Sequence, residues 1–73
     1  MGTTNPGIDI ISYILVCLFG FELARINGSH HIYIHPNIPE LINIQNRKGE
    51  VTTYQVRQAL SLINRYNLTL DED

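Results

Sequence analysis

The stretch Phe21-Glu22-Leu23-Ala24-Arg25-Ile26-Asn27-Gly28-Ser29-His30-His31-Ile32-Tyr33-Ile34-His35-Pro36 decides how this chain folds. Two apolar, partly β-branched runs flank Asn27-Gly28, a dipeptide in which both positions tolerate positive φ. That is the pattern of a β-hairpin. The spacing predicts a first strand over 21–26, with Phe21 and Leu23 on one face and Glu22 and Ala24 on the other. The returning strand is expected over 31–35, closed by Pro36. Pro36-Asn37-Ile38-Pro39 then reads as loop or turn.

Further along, Leu41 to Gln45 forms a third strand with β-branched Ile42 and Ile44 on one face, and Asn46 to Gly49 is a polar turn. Upstream of the hairpin, Ile8 to Phe19 is apolar almost throughout and long enough to favour a helix. Asn5 is its expected N-cap, Pro6 its first helical residue and Gly20 its left-handed terminator. That helix lacks a polar stripe, so more than one side of it should be covered, by a second copy or by a partner. The last helix starts at Thr52-Thr53-Tyr54-Gln55, a capping box in which Thr52 caps and Gln55 reaches back, with Val51 and Val56 as staple. Val56, Ala59, Leu60, Ile63 and Tyr66 form its inward stripe, and Asn67 ends it. The order is α-β-β-β-α, an α+β fold with a three-stranded antiparallel sheet and two helices on one face. Residues 1–7 read as a flexible lead-in, 8–70 as a single domain and 71–73 as an acidic tail.

A chain of 73 residues buries only about 60% of its unfolded surface, so an active site should be a surface patch. With 44% apolar and 16% charged residues the chain is globular. Cys17 stands alone in an apolar run, which excludes a disulfide framework and a cysteine zinc site and predicts a buried thiol. There is no basic leader, and the run from Ile10 to Phe19 is too short to span a bilayer. The expected setting is the cytoplasm, away from membranes. The net charge of −2 includes Asp71, Glu72 and Asp73; the rest of the chain is close to neutral. That is a weak electrostatic footprint for a nucleic-acid binder.

All three histidines lie within six positions. Histidine is the side chain best suited to general acid–base work near neutral pH. Along an extended strand His31, Tyr33 and His35 share one face, and His30, Ile32 and Ile34 share the other. His35 reads as a strand-end or core-edge residue, and His31 as a solvent-facing one. Histidines at i and i+2 suit a transition metal, but no Cys or acidic cluster completes a site, and no metal or other cofactor is expected.

Gly20-Phe21-Glu22-Leu23, Arg25, Gly28-Ser29-His30-His31-Ile32-Tyr33, His35-Pro36, Leu41-Ile42-Asn43-Ile44 and Val56-Arg57 together resemble the HicA family of toxins over residues 8–68. The resemblance implies a double-stranded-RNA-binding-domain-like fold, and the activity of an mRNA interferase, the toxin of a type II toxin–antitoxin system. It also implies mRNA as substrate and a HicB-like antitoxin as partner. The family histidine that carries cleavage is the one directly after Gly-Ser, which here is His30. Where many relatives carry Pro-x-His after the third strand, this chain has Gln45-Asn46-Arg47, and the glycine that breaks their last helix is missing. On this reading His30 is the general acid/base, Gly28 and Ser29 let the backbone approach a phosphate, and Arg25, Arg47 and Lys48 supply positive charge. His31 or His35 is the candidate for a helping acid. The alternatives are a HicA-like RNA-binding or antitoxin-binding module that does not cut, or a homo-oligomeric interaction module built on the first helix.

Overall fold

A computed structural model describes residues 5–70; the first four residues of the lead-in and the acidic tail lie outside the described residues. The chain forms α1 (Ile8–Tyr13), which runs on into a π-helical turn (Ile14–Leu18), then β1 (Glu22–Asn27), β2 (His30–His35), β3 (Ile38–Gln45) and α2 (Thr53–Arg65). The strands are antiparallel in the order β1-β2-β3. One core joins Ile11 and Leu15 of the first helix, Ala59 and Ile63 of α2, and Phe21, Tyr33, Ile38, Ile42 and Ile44 beneath them. Each leucine, isoleucine or phenylalanine among them contributes about 1.5–3 kcal/mol on burial. The α+β order expected from the sequence is the one observed.

The hairpin turn sits one residue later than the Asn27-Gly28 pattern implies. Asn27 pairs with His30, so the two-residue loop is Gly28-Ser29. Only Gly28 takes positive φ, 64°, which is the arrangement of a II′ turn, with glycine first. Beyond the turn, Arg25 pairs with Ile32 and Leu23 with Tyr33, which leaves Ala24 as the extra residue of a β-bulge. The bulge shifts the alternation by one. Leu23 stays on the helix side, while Arg25 goes to the open face.

β3 begins earlier than expected, at Ile38, and includes Pro39. Only Pro36-Asn37 remains as turn. β3 is an edge strand, and between the pairs His35–Ile38 and Tyr33–Ile42 it carries more residues than β2. Proline is tolerated in such an irregular edge because no ladder partner needs its missing N–H.

The first helix starts differently from the Asn5-Pro6 pattern. Gly7 is its N-cap, with no side-chain hydrogen bond, and the Ile8 N–H donates to the Gly49 carbonyl at 2.8 Å. Asn5 instead accepts from the Thr53 hydroxyl at 3.4 Å, and Pro6 accepts from the Val51 N–H at 2.9 Å. A backbone carbonyl from a distant turn therefore satisfies the donor that a capping side chain would otherwise take. At the far end the Phe19 N–H reaches the Ile14 carbonyl, a five-residue step that widens the last turn, and Gly20 at φ 80° ends the helix. Cys17 is exposed rather than buried. Ile10, Tyr13 and Val16 are exposed with it on the outward side of the helix.

In α2 the Thr52 cap forms as expected, its hydroxyl accepting from the Gln55 N–H at 3.4 Å. The Gln55 side chain does not reach back. It turns to β3, accepting from the Gln45 N–H at 3.0 Å and donating to the Asn43 carbonyl at 3.2 Å. Leu60, expected inward, is 55% exposed, and Leu62 packs on the core in its place. Asn67, at φ 55°, closes a Schellman motif: its N–H donates to the Asn64 carbonyl and the Leu68 N–H to the Ile63 carbonyl.

Tyr33 is fully buried, and its hydroxyl has no hydrogen-bond partner. A buried hydroxyl left unpaired costs about 1–3 kcal/mol. Tyr33→Phe should therefore leave the urea unfolding midpoint unchanged or raise it. A variant destabilised by more than about 1 kcal/mol would mean that the hydroxyl is bonded in solution.

Candidate active site on the open face of the sheet

The register sorts the histidines onto two faces. His31 lies in a row with Ile26 and Ile44 on the helix side. It is half-buried, contrary to the solvent-facing reading, and its Nδ1 is buried without a partner. His35, also on that side, has both ring nitrogens engaged: Nε2 lies 3.1 Å from the Phe19 carbonyl, and Nδ1 accepts from the Asn37 N–H at 3.0 Å. Its ring meets Phe21 edge-on at 4.9 Å. His35 is thus a strap between the end of the first helix and the β2–β3 turn. Both residues are separated from His30 by the sheet itself.

His30 opens β2 on the exposed face, between Asn27 of β1 and Gln45 of β3. Its Nδ1 lies 3.1 Å from Oδ1 of Asn43, the diagonal neighbour on β3. Nε2 makes no hydrogen bond among the described residues. The adjacent row runs Arg25, Ile32, Asn43 across the three strands. Flanked by that arginine and asparagine, Ile32 is only 9% exposed although it sits on the open side. Arg25 reaches this face only because Ala24 bulges out.

Gly28 and Ser29 form the turn that leads into His30. The Ser29 carbonyl accepts from the Asn46 N–H at 2.7 Å, which fastens this turn to the next one. That second turn is a small hairpin of its own. Arg47 and Glu50 exchange backbone hydrogen bonds of 2.9 and 3.1 Å around Lys48 and Gly49, both at positive φ. The Asn46 side chain accepts from the Gly49 N–H at 2.7 Å and closes it. Arg47 and Lys48 are exposed there, with Glu50 beside them. Two tight turns and one end of the open face therefore gather Gly28, Ser29, His30, Arg25, Arg47 and Lys48 at the same end of the molecule.

Asn43 is the site residue that sequence reasoning did not single out. The alternation Ile42-Asn43-Ile44 signals its face, but its bond to His30 depends on the β2–β3 register. No group of three or more His, Cys, Asp or Glu side chains converges among the described residues.

Fold and site together define a small α+β protein with one exposed imidazole directly after a glycine turn. Residues 14–64, more than half the chain, match the family described as HicA toxin of bacterial toxin–antitoxin. The protein belongs to the HicA toxin family, and an antitoxin is the partner that membership entails. No curated protein and no solved structure matches the chain.

The Gly28 turn can be probed separately from chemistry. Nothing lies within 4 Å of where a Cβ would stand, so the cost of Gly28→Ala comes from the positive φ alone, about 1–3 kcal/mol. Ser29→Ala should change stability by less than about 0.5 kcal/mol. Chemical denaturation of the two variants side by side measures the difference.

Proposed function

We propose that this protein is a metal-independent endoribonuclease that cuts mRNA in the cytoplasm, with His30 as the catalytic acid/base, and that a HicB-like antitoxin holds it inactive. The observation that carries the reading is an exposed imidazole whose Nδ1 is bonded and whose Nε2 is open. It stands directly after Gly28-Ser29 in a chain of the HicA family.

RNA supplies its own nucleophile, so a base and a positive environment suffice. Nε2 of His30 takes the proton of the 2′-hydroxyl, and the 2′-oxygen attacks the neighbouring phosphorus. The bond from phosphorus to the 5′-oxygen breaks, and that oxygen takes a proton from solvent or from the His30 imidazolium. Arg25, Arg47 and Lys48 offset the charge on the phosphate. The backbone around Gly28 and Ser29 can come close to it, because glycine has no Cβ in the way. His31 and His35 stay out of the step, since the sheet lies between them and His30. Arg47, at the place of the family's second histidine, serves here as charge rather than as acid.

His30→Ala should lower cleavage by about 10²- to 10⁴-fold and relieve growth inhibition, with the fold intact by circular dichroism. Mass spectrometry of the wild-type products should find 2′,3′-cyclic phosphate ends, and EDTA should leave the rate unchanged. Unimpaired cleavage by His30→Ala would overturn the assignment. Growth inhibition without RNA cleavage, in either form, would make the protein a binding module instead.

Three cationic side chains near the site also set the salt response. Log affinity for single-stranded RNA should fall with log salt at a slope of about −2. Fluorescence anisotropy with a catalytically dead variant reads that slope. A slope indicating six or more neutralised phosphates would contradict this small footprint.

A further inference from the structure

We infer that Asn43 is a positioning residue for His30: its Oδ1 holds the proton on Nδ1 and leaves the Nε2 lone pair facing the open side of the sheet. This rests on the ribonuclease reading of His30 for its catalytic meaning, though not for its geometry.

An amide oxygen can only accept, so a 3.1 Å contact between Asn43 Oδ1 and His30 Nδ1 requires the proton on Nδ1. A free histidine side chain prefers the opposite tautomer, with the proton on Nε2. In that form the nitrogen facing the RNA would be a donor and useless as a base. The hydrogen bond therefore selects the reactive tautomer and fixes the ring plane, as the orienting partner does in other histidine-based sites.

Asn43 is itself held. Its backbone carbonyl accepts from Gln55 Nε2 at 3.2 Å, and the same amide accepts from the Gln45 N–H at 3.0 Å. One side-chain amide of α2 thus grips β3 on both sides of residue 44, and β3 presents the Asn43 side chain to His30. An exposed strand asparagine would otherwise spend its hydrogen bonds on water.

The residue type matters as well. A carboxylate at this place would also orient the ring, but it would stabilise the imidazolium and withhold the free base at neutral pH. A neutral amide orients without trapping the proton. That distinction makes the inference testable by two substitutions at one position.

Asn43→Ala should lower kcat by about tenfold to a hundredfold, with KM unchanged, the range seen when the orienting partner of a metal-binding histidine is lost. Asn43→Asp should keep most of the rate at high pH, while the rising limb of its pH–rate profile moves to higher pH. Nitrogen-15 spectra of the neutral ring, recorded without RNA, should give the Nδ1–H form for wild type and a shift toward Nε2–H in Asn43→Ala. Asn43 is exposed, and circular dichroism with urea midpoints should find both variants folded. Wild-type kcat in Asn43→Ala, with His30→Ala inactive, would overturn this inference and leave the ribonuclease reading standing. An active His30→Ala would overturn that reading instead, and the tautomer of the resting ring would still decide whether Asn43 sets it. An Nε2–H ring in the wild type would refute the role outright.

Discussion

The side-chain amide of Gln55 is the contact on which the rest of this small structure turns. A sheet edge leaves a row of backbone groups without partners, and such groups are costly beneath a covering helix. Gln55 offers one donor and one acceptor to the outer edge of β3, as one peptide unit of a further strand would. Its own backbone N–H is meanwhile fixed by the Thr52 cap. The start of α2, the edge of the sheet and the strand that carries Asn43 are therefore one mechanical unit. The open face keeps its shape because the outer edge of the same strand is gripped.

One irregularity decides what that face displays. In perfect alternation Arg25 would follow Leu23 to the helix side, where a guanidinium without a partner cannot be buried cheaply. The bulge at Ala24 removes the conflict, and Ile26 takes the position beside His31 at the rim of the core. The surplus of β3 over β2 between Ile38 and Ile42 is two residues, an even number, so the alternation survives it and Ile38, Ile42 and Ile44 all reach the core. The placement of Arg25 on the open face depends on a departure from regular pairing.

Much of this was legible from the residues. The helix-strand-strand-strand-helix order, the Thr52 cap, and the terminators Gly20 and Asn67 follow from local chemistry that acts over a few positions, and all are present. Local rules failed where a distant partner competed. Gln55 left its capping-box role for a strand edge ten residues upstream, and Asn5 gave up the first helix for Thr53. Leu60 and Leu62 exchanged roles because the stripe facing the sheet is set by how α2 lies on β3, which the sequence does not state. At the site, His30 and the residues of the two turns could be named from sequence. Asn43 could not, since its diagonal contact exists only in one register, and that register depends on how β3 absorbs its extra residues.

The Gly49 carbonyl that meets the Ile8 N–H bears on the order in which a newly made chain can complete itself. The first helix leaves the ribosome before the strands, yet the group that finishes its N-terminus lies some forty positions later in the chain. Between them come all three strands, and the helix whose glutamine secures the last of them follows only afterwards. Incomplete chains therefore lack both a finished first helix and a supported His30. The open face around His30 therefore waits for α2 to be made, and fragments that stop before it carry the histidine without the Gln55 contacts to β3.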